Sequence, residues 1–116
     1  MEIGLKANQL TNAIEEFIRY GGNYCDRVNN VGIFDPRTRR YRKAHTRLGI
    51  VDIFASKLIE HQGRKFAVMV AIEVKVGKDR LSTHQKAMQE EIERKGGYYL
   101  IARTFDSFVE QWNLIS

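Results

Sequence analysis

Residues 65–76 read KFAVMVAIEVKV. A strand turns successive side chains to opposite faces, so a run that is apolar at both parities must be covered on both sides. It therefore reads as the central strand of a sheet with helices on either face. A second β-rich run, RLGIVDIFAS at 47–56, comes before it, and HQGR at 61–64 lies between them. Gln62-Gly63 suits a two-residue turn, with Gly63 at a position that favours positive φ. His61 then faces Arg64, and counting back along both strands sets Asp52 opposite Glu73. Directly opposed antiparallel residues hold their Cβ atoms about 4.5–5.5 Å apart on one face. The period of two adds Lys75 to that face and turns Val74 into the opposite layer.

The remaining segments supply the covering layers. NQLTNAIEEFIRY at 8–20 places Leu10, Ala13, Ile14, Phe17 and Ile18 on one helical stripe, with Asn8 as N-cap and Gly21-Gly22 as the stop. NYCDRVNNVGIF at 23–34 reads as a strand turned near Asn29-Asn30. STHQKAMQEEIERKGG at 82–97 reads as a helix opened by a capping box of Ser82 and Gln85 and closed by Gly96-Gly97. YYLIAR at 98–103 is a further strand. DSFVEQWNL at 106–114 is a final helix, with Asp106 as N-cap and Phe108, Val109 and Trp112 facing inward. The order α-β-β-β-α-β-α predicts an α/β fold, a mixed sheet flanked by helices. At 116 residues the chain has room for one core, so residues 1–116 read as a single domain.

Charge is unevenly placed. The chain has 19 Lys and Arg against 14 Asp and Glu. Arg37, Arg39, Arg40, Arg42, Lys43 and Arg47 all fall in PRTRRYRKAHTR at 36–47, which contains no acid. Outside it acids slightly outnumber bases. Such a strip is what phosphate neutralisation requires, and Tyr41 lies within it, so a loop or arm contacting nucleic acid is expected. Pro36 and the lack of periodicity argue against a regular element there. No apolar run approaches the ~20 residues that span a bilayer, and no basic-then-apolar leader is visible at the N-terminus. The single cysteine, Cys25, cannot form an internal disulfide, which fits a reducing, cytoplasmic compartment. His45, His61 and His84 show no zinc spacing.

Two carboxylates facing each other on central strands repel and lose solvation, a conflict that a cation between them removes. The ligands are hard oxygens without thiolate or imidazole, which selects Mg²⁺ (or Mn²⁺) over zinc. Lys75 beside them suits orientation of an attacking water or neutralisation of developing charge. The plainer alternative is that Asp52 only ends a strand, Lys75 only neutralises Glu73, and Gln85 only caps its helix.

GIVD, then IEVK, then STHQ resembles the PD-(D/E)XK nuclease superfamily, and within it the virus-type replication–repair nuclease (VRR-NUC) domain. The resemblance covers nearly the whole chain, including RVNNVG after the first helix and the late GGYYLIAR strand. It implies a restriction-endonuclease-like αβββαβ core and a divalent-metal-dependent DNA endonuclease. It implies metal ligation by Asp52, Glu73 and the Val74 backbone carbonyl, Lys75 as catalytic lysine, and Gln85 beside the site. Stand-alone members of this size are similar to Holliday-junction resolvases from phage or mobile elements, which work as homodimers on branched DNA. Val51 stands where the family often has proline. Gln9, Leu10 and Thr11 stand where many members carry a first-helix glutamate, and Glu15 and Glu16 read as a solvated helix face. The competing expectation is a DNA-binding module that keeps the fold and has lost the chemistry.

Overall fold

The computed structural model describes residues 5–28, 34–41 and 48–116. In chain order they form helix α1 (Ala7–Tyr20), strands β1 (Tyr24–Arg27), β2 (Phe34–Asp35), β3 (Arg40–Tyr41), β4 (Ile53–His61) and β5 (Arg64–Val74), helix α2 (Thr83–Arg94), strand β6 (Tyr98–Ala102) and helix α3 (Phe105–Asn113). Four strands make a mixed sheet in the order β1-β4-β5-β6, and β2 pairs with β3 separately. The chain is thus mixed α/β, with its sheet flanked by helices. The Asn29-Asn30 turn lies outside the described residues.

The hairpin register follows the expected count. Pairs run from His61 with Arg64 to Ile53 with Ile72. Gln62 and Gly63 have φ of 51° and 77°, the doubly left-handed turn whose twist matches that of its flanking strands. β6 lies parallel to β5, so the chain must cross over between them, and α2 is the crossover.

Alternation along β5 separates two cores. Val70, Ile72 and Val74 join Leu10, Ile14 and Ile18 of α1 and Phe108 and Trp112 of α3. Ala71 faces the other way, with Val51, Tyr99, and Met88 and Ile92 of α2. Complete burial of Ile14, Ile53 and Ile72 contributes roughly 1.5–3 kcal/mol each. Phe17 meets Phe105 and Phe108 edge-on at centroid distances of 5.9 and 5.7 Å, which fixes α1 against α3. Lys57 ties down the end of α3, donating to the Trp112 carbonyl at 2.7 Å and the Ile115 carbonyl at 2.9 Å.

Four local expectations are corrected. The central strand is covered on both faces only over Val70–Val74; Phe66 and Met69 are 47% and 41% exposed. The cause is neighbour length: β1 reaches only to Ser56 and β6 begins opposite Val70, so β4 and β5 continue outward as a two-stranded ribbon. Asn8 lies inside α1, whose N-cap is Lys6; Gln9 Oε1 accepts the Lys6 N–H at 3.1 Å. Thr104 rather than Asp106 caps α3, because Thr104 and Ser107 exchange side-chain-to-amide bonds at 3.1 and 3.2 Å. Asp106 falls in the first turn, where its charge complements the helix end. Part of the basic segment is ordered as the β2–β3 hairpin, its turn started by Asp35 Oδ1 accepting the Arg37 N–H at 2.9 Å. Among the described residues no helix is long and apolar enough to cross a membrane.

Candidate active site

Glu73 reaches the site as the penultimate residue of β5, on the face covered by α2, and is 3% exposed. Asp52 meets it differently from the simple count. The β4–β5 ladder ends at Ile53 and Ile72, and Asp52 sits in a bend just beyond. Its carbonyl accepts the Val28 N–H at 2.8 Å, which holds this point to the chain leaving β1. Its carboxylate takes over from the ladder on the other side, Oδ2 accepting the Val74 N–H at 2.8 Å. Val74 sends its side chain into the α1/α3 core, as expected, and leaves its peptide at the site.

The oxygens of Glu73 have unequal surroundings. Oε1 accepts from Gln85 Nε2 at 2.9 Å and lies 3.9 Å from Lys75 Nζ. Oε2 is buried and has no hydrogen-bond partner among the described residues. Burial, and after it the charge of Asp52, pushes the Glu73 carboxyl up to about 8, with Lys75 opposing the shift. The Lys75 side chain is mostly buried beside it. Gln85 holds both roles open to it in the sequence. Its Oε1 accepts the Ser82 N–H at 2.8 Å and Ser82 Oγ accepts the Gln85 N–H at 3.1 Å, while Nε2 reaches Glu73. Asp52, Glu73, Lys75 and Gln85 therefore converge.

α1 packs on the opposite sheet face through its apolar stripe, and Glu15 pairs with Arg19 at 3.3 Å. Among the described residues no three His, Cys, Asp or Glu side chains group together. Two carboxylates, one with a buried unpartnered oxygen, fit a hard cation that keeps several ligands for water or substrate. Arg37 and Arg39 in the β2–β3 turn and Arg40 at the start of β3 are exposed. Arg42, Lys43 and Arg47 lie outside the described residues.

Two participants were not read as such from the sequence, whereas Gly49 opens the GIVD motif. Arg103 Nη1 donates to the carbonyls of Asp79 at 2.9 Å and Lys75 at 3.4 Å, which pins the segment after β5. Tyr99 is buried on the α2 face, and its hydroxyl has no hydrogen-bond partner among the described residues. Gly49 lets the approach to Asp52 run against α2: its φ is 78°, and a Cβ there would sit 2.5 Å from the His84 backbone carbonyl carbon and oxygen. Gly49→Ala is expected to lower stability by about 2 kcal/mol or more, from left-handed strain plus a backbone collision. A urea midpoint matching wild type would refute that close approach.

Comparison with protein-family models and with curated proteins finds no match.

Proposed function

We propose that this protein is a divalent-metal-dependent DNA endonuclease hydrolysing phosphodiester bonds, selective for branched DNA such as four-way junctions. Its fold is read as the restriction-endonuclease-like core of the VRR-NUC type. The observation that carries the proposal is the buried, unpartnered Oε2 of Glu73 beside Asp52 and Lys75. Unsatisfied buried carboxylate oxygens are costly, and sites for metals are where that cost is offset.

Asp52, Glu73 and the Val74 carbonyl hold Mg²⁺ (or Mn²⁺), which when bound supplies Lewis-acid stabilisation of phosphate charge and a more acidic water. Lys75 orients the attacking water and neutralises charge developing on the phosphate. Gln85 keeps Glu73 in place through the 2.9 Å bond to Oε1. The basic segment binds the DNA backbone, and two copies acting as a homodimer serve the two-fold-related strands of a junction. The residue chemistry suits an intracellular protein acting on DNA.

The test is a labelled four-way junction incubated with protein and Mg²⁺ or Mn²⁺, beside linear duplex of the same sequence. Paired nicks on the junction are the expected result. Binding without cleavage in either metal would replace the proposal with an inactive nuclease-fold DNA-binding module. That second reading draws on α1, which brings no carboxylate at Gln9, Leu10 or Thr11.

The basic segment should act separately from the chemistry. Neutralising Arg39, Arg40 and Arg42 is expected to weaken binding and to flatten the log K against log salt slope by about 0.9 per lost phosphate contact. An unchanged slope would place the segment away from the DNA.

A further inference from the structure

Among the described residues, the buried side-chain oxygens without a hydrogen-bond partner are Glu73 Oε2 and Tyr99 Oη. Both belong to the α2 face of the sheet. The parallel register sets Tyr99 beside Ala71 and Ile101 beside Glu73, so the tyrosine and the glutamate are diagonal neighbours on adjoining strands. One strand spacing of about 4.8 Å and two residues of about 3.3 Å each put such neighbours roughly 8 Å apart, within reach of an aromatic side chain. Leaving a buried hydroxyl unpaired is costly, a penalty that phenylalanine at this position would avoid. Gln85 already holds Oε1 at 2.9 Å, so Oε2 is the oxygen of Glu73 still lacking a donor.

We infer that Tyr99 is a positioning residue of the acid pair: one water bridges its hydroxyl to Glu73 Oε2 and keeps that oxygen turned toward Asp52. The bridge gives both stranded oxygens a partner and supplies the water with two of the two to four polar contacts it needs. Burial, followed by the charges of Glu73 and Asp52, holds the tyrosine far above its ordinary ionisation range. A phenol keeps its proton at neutral pH in any case, so the hydroxyl can donate to the bridging water. Glu73 is then clamped from two sides, by an amide on one oxygen and by a bridged hydroxyl on the other. This inference rests on the proposed cation site at Asp52 and Glu73.

Mn²⁺ titration by calorimetry, together with thermal unfolding in EDTA, tests it on wild type, Tyr99→Phe and Asp52→Asn. Tyr99→Phe is expected to bind Mn²⁺ about 10-fold more weakly, the lower end of what losing an outer-shell partner costs. In EDTA it should unfold at about the wild-type temperature, because the hydrogen bond the hydroxyl loses is offset by the desolvation its burial no longer costs. Asp52→Asn should lose Mn²⁺ binding. Equal Mn²⁺ affinity in wild type and Tyr99→Phe, with Asp52→Asn unable to bind, would overturn the role of Tyr99 and leave the cation site standing. A lower unfolding temperature for Tyr99→Phe in EDTA would also overturn it, by making the hydroxyl an ordinary structural contact. A wild type that takes up no Mn²⁺ would remove the cation site and this inference together.

Discussion

Lys75→Ala is expected to fold normally, to bind junction DNA in EDTA as wild type does, and to lose strand cleavage by roughly 10²–10³-fold, the scale seen when one charge-stabilising donor is removed from a reaction centre. The fold should tolerate the change because Lys75 follows the last residue of β5 and Glu73, without the lysine opposing its shift, stays neutral rather than becoming an unpaired buried charge. Asp52→Ala is expected to lose cleavage at least as completely, but less cleanly. It also deprives the Val74 N–H of its acceptor at 2.8 Å, an unmade bond costing on the order of 1–3 kcal/mol. Asp52→Asn can keep that bond while removing the charge, so it separates chemistry from architecture. Undiminished cleavage by Lys75→Ala and Asp52→Asn would eliminate the site.

Metal-free protein should become less stable between about pH 4.5 and pH 8. Folded Glu73 holds its proton up to about 8, whereas the unfolded carboxyl releases it near 4.5. Within that window the native state binds more protons than the unfolded state, so raising the pH favours unfolding. The contribution is complete below the lower value and gone above the upper one. At 1.36 kcal/mol per unit the ceiling is about 4–5 kcal/mol, and relaxation around the charged form reduces it to a few. Glu73→Gln cannot ionise, so its urea stability should lack this slope and should exceed wild type at pH 8 by about 2 kcal/mol. Mg²⁺ favours the ionised carboxyl and should lift wild-type stability at pH 8 while leaving Glu73→Gln nearly unmoved. Parallel pH profiles for the two proteins in EDTA would show that Glu73 is not held protonated.

The parts of this site legible in the sequence were those set by local rules. A two-residue turn at Gln62-Gly63 fixes which residues of β4 and β5 meet, and strand alternation then groups Glu73 with Lys75 and separates Val74. The capping box likewise located Gln85 at the start of α2. What stayed hidden depended on distances that no turn encodes. β6 arrives after a helical crossover, so nothing near Tyr99 in the chain announces that it will lie beside Ala71. The bend at Asp52 is set by the Val28 amide, a bond from another strand. The exposed end of the β4–β5 hairpin was missed because apolar composition shows what a strand can bury, not how far its neighbours extend. Asn8 and Asp106 are good capping residues that lost to neighbours: Gln9 accepts the Lys6 N–H at α1, and Thr104 and Ser107 exchange side-chain-to-amide bonds at α3.

Gln85 spends one amide oxygen winding α2 and the nitrogen of the same group gripping an acid. Fraying at that helix end, an opening far smaller than global unfolding, would release both grips at once. On the proposed function, readiness for cleavage would then be a fraction of time, determined by how often the first turn lets go, and changes in the loop at 77–81 would alter it without touching an acid.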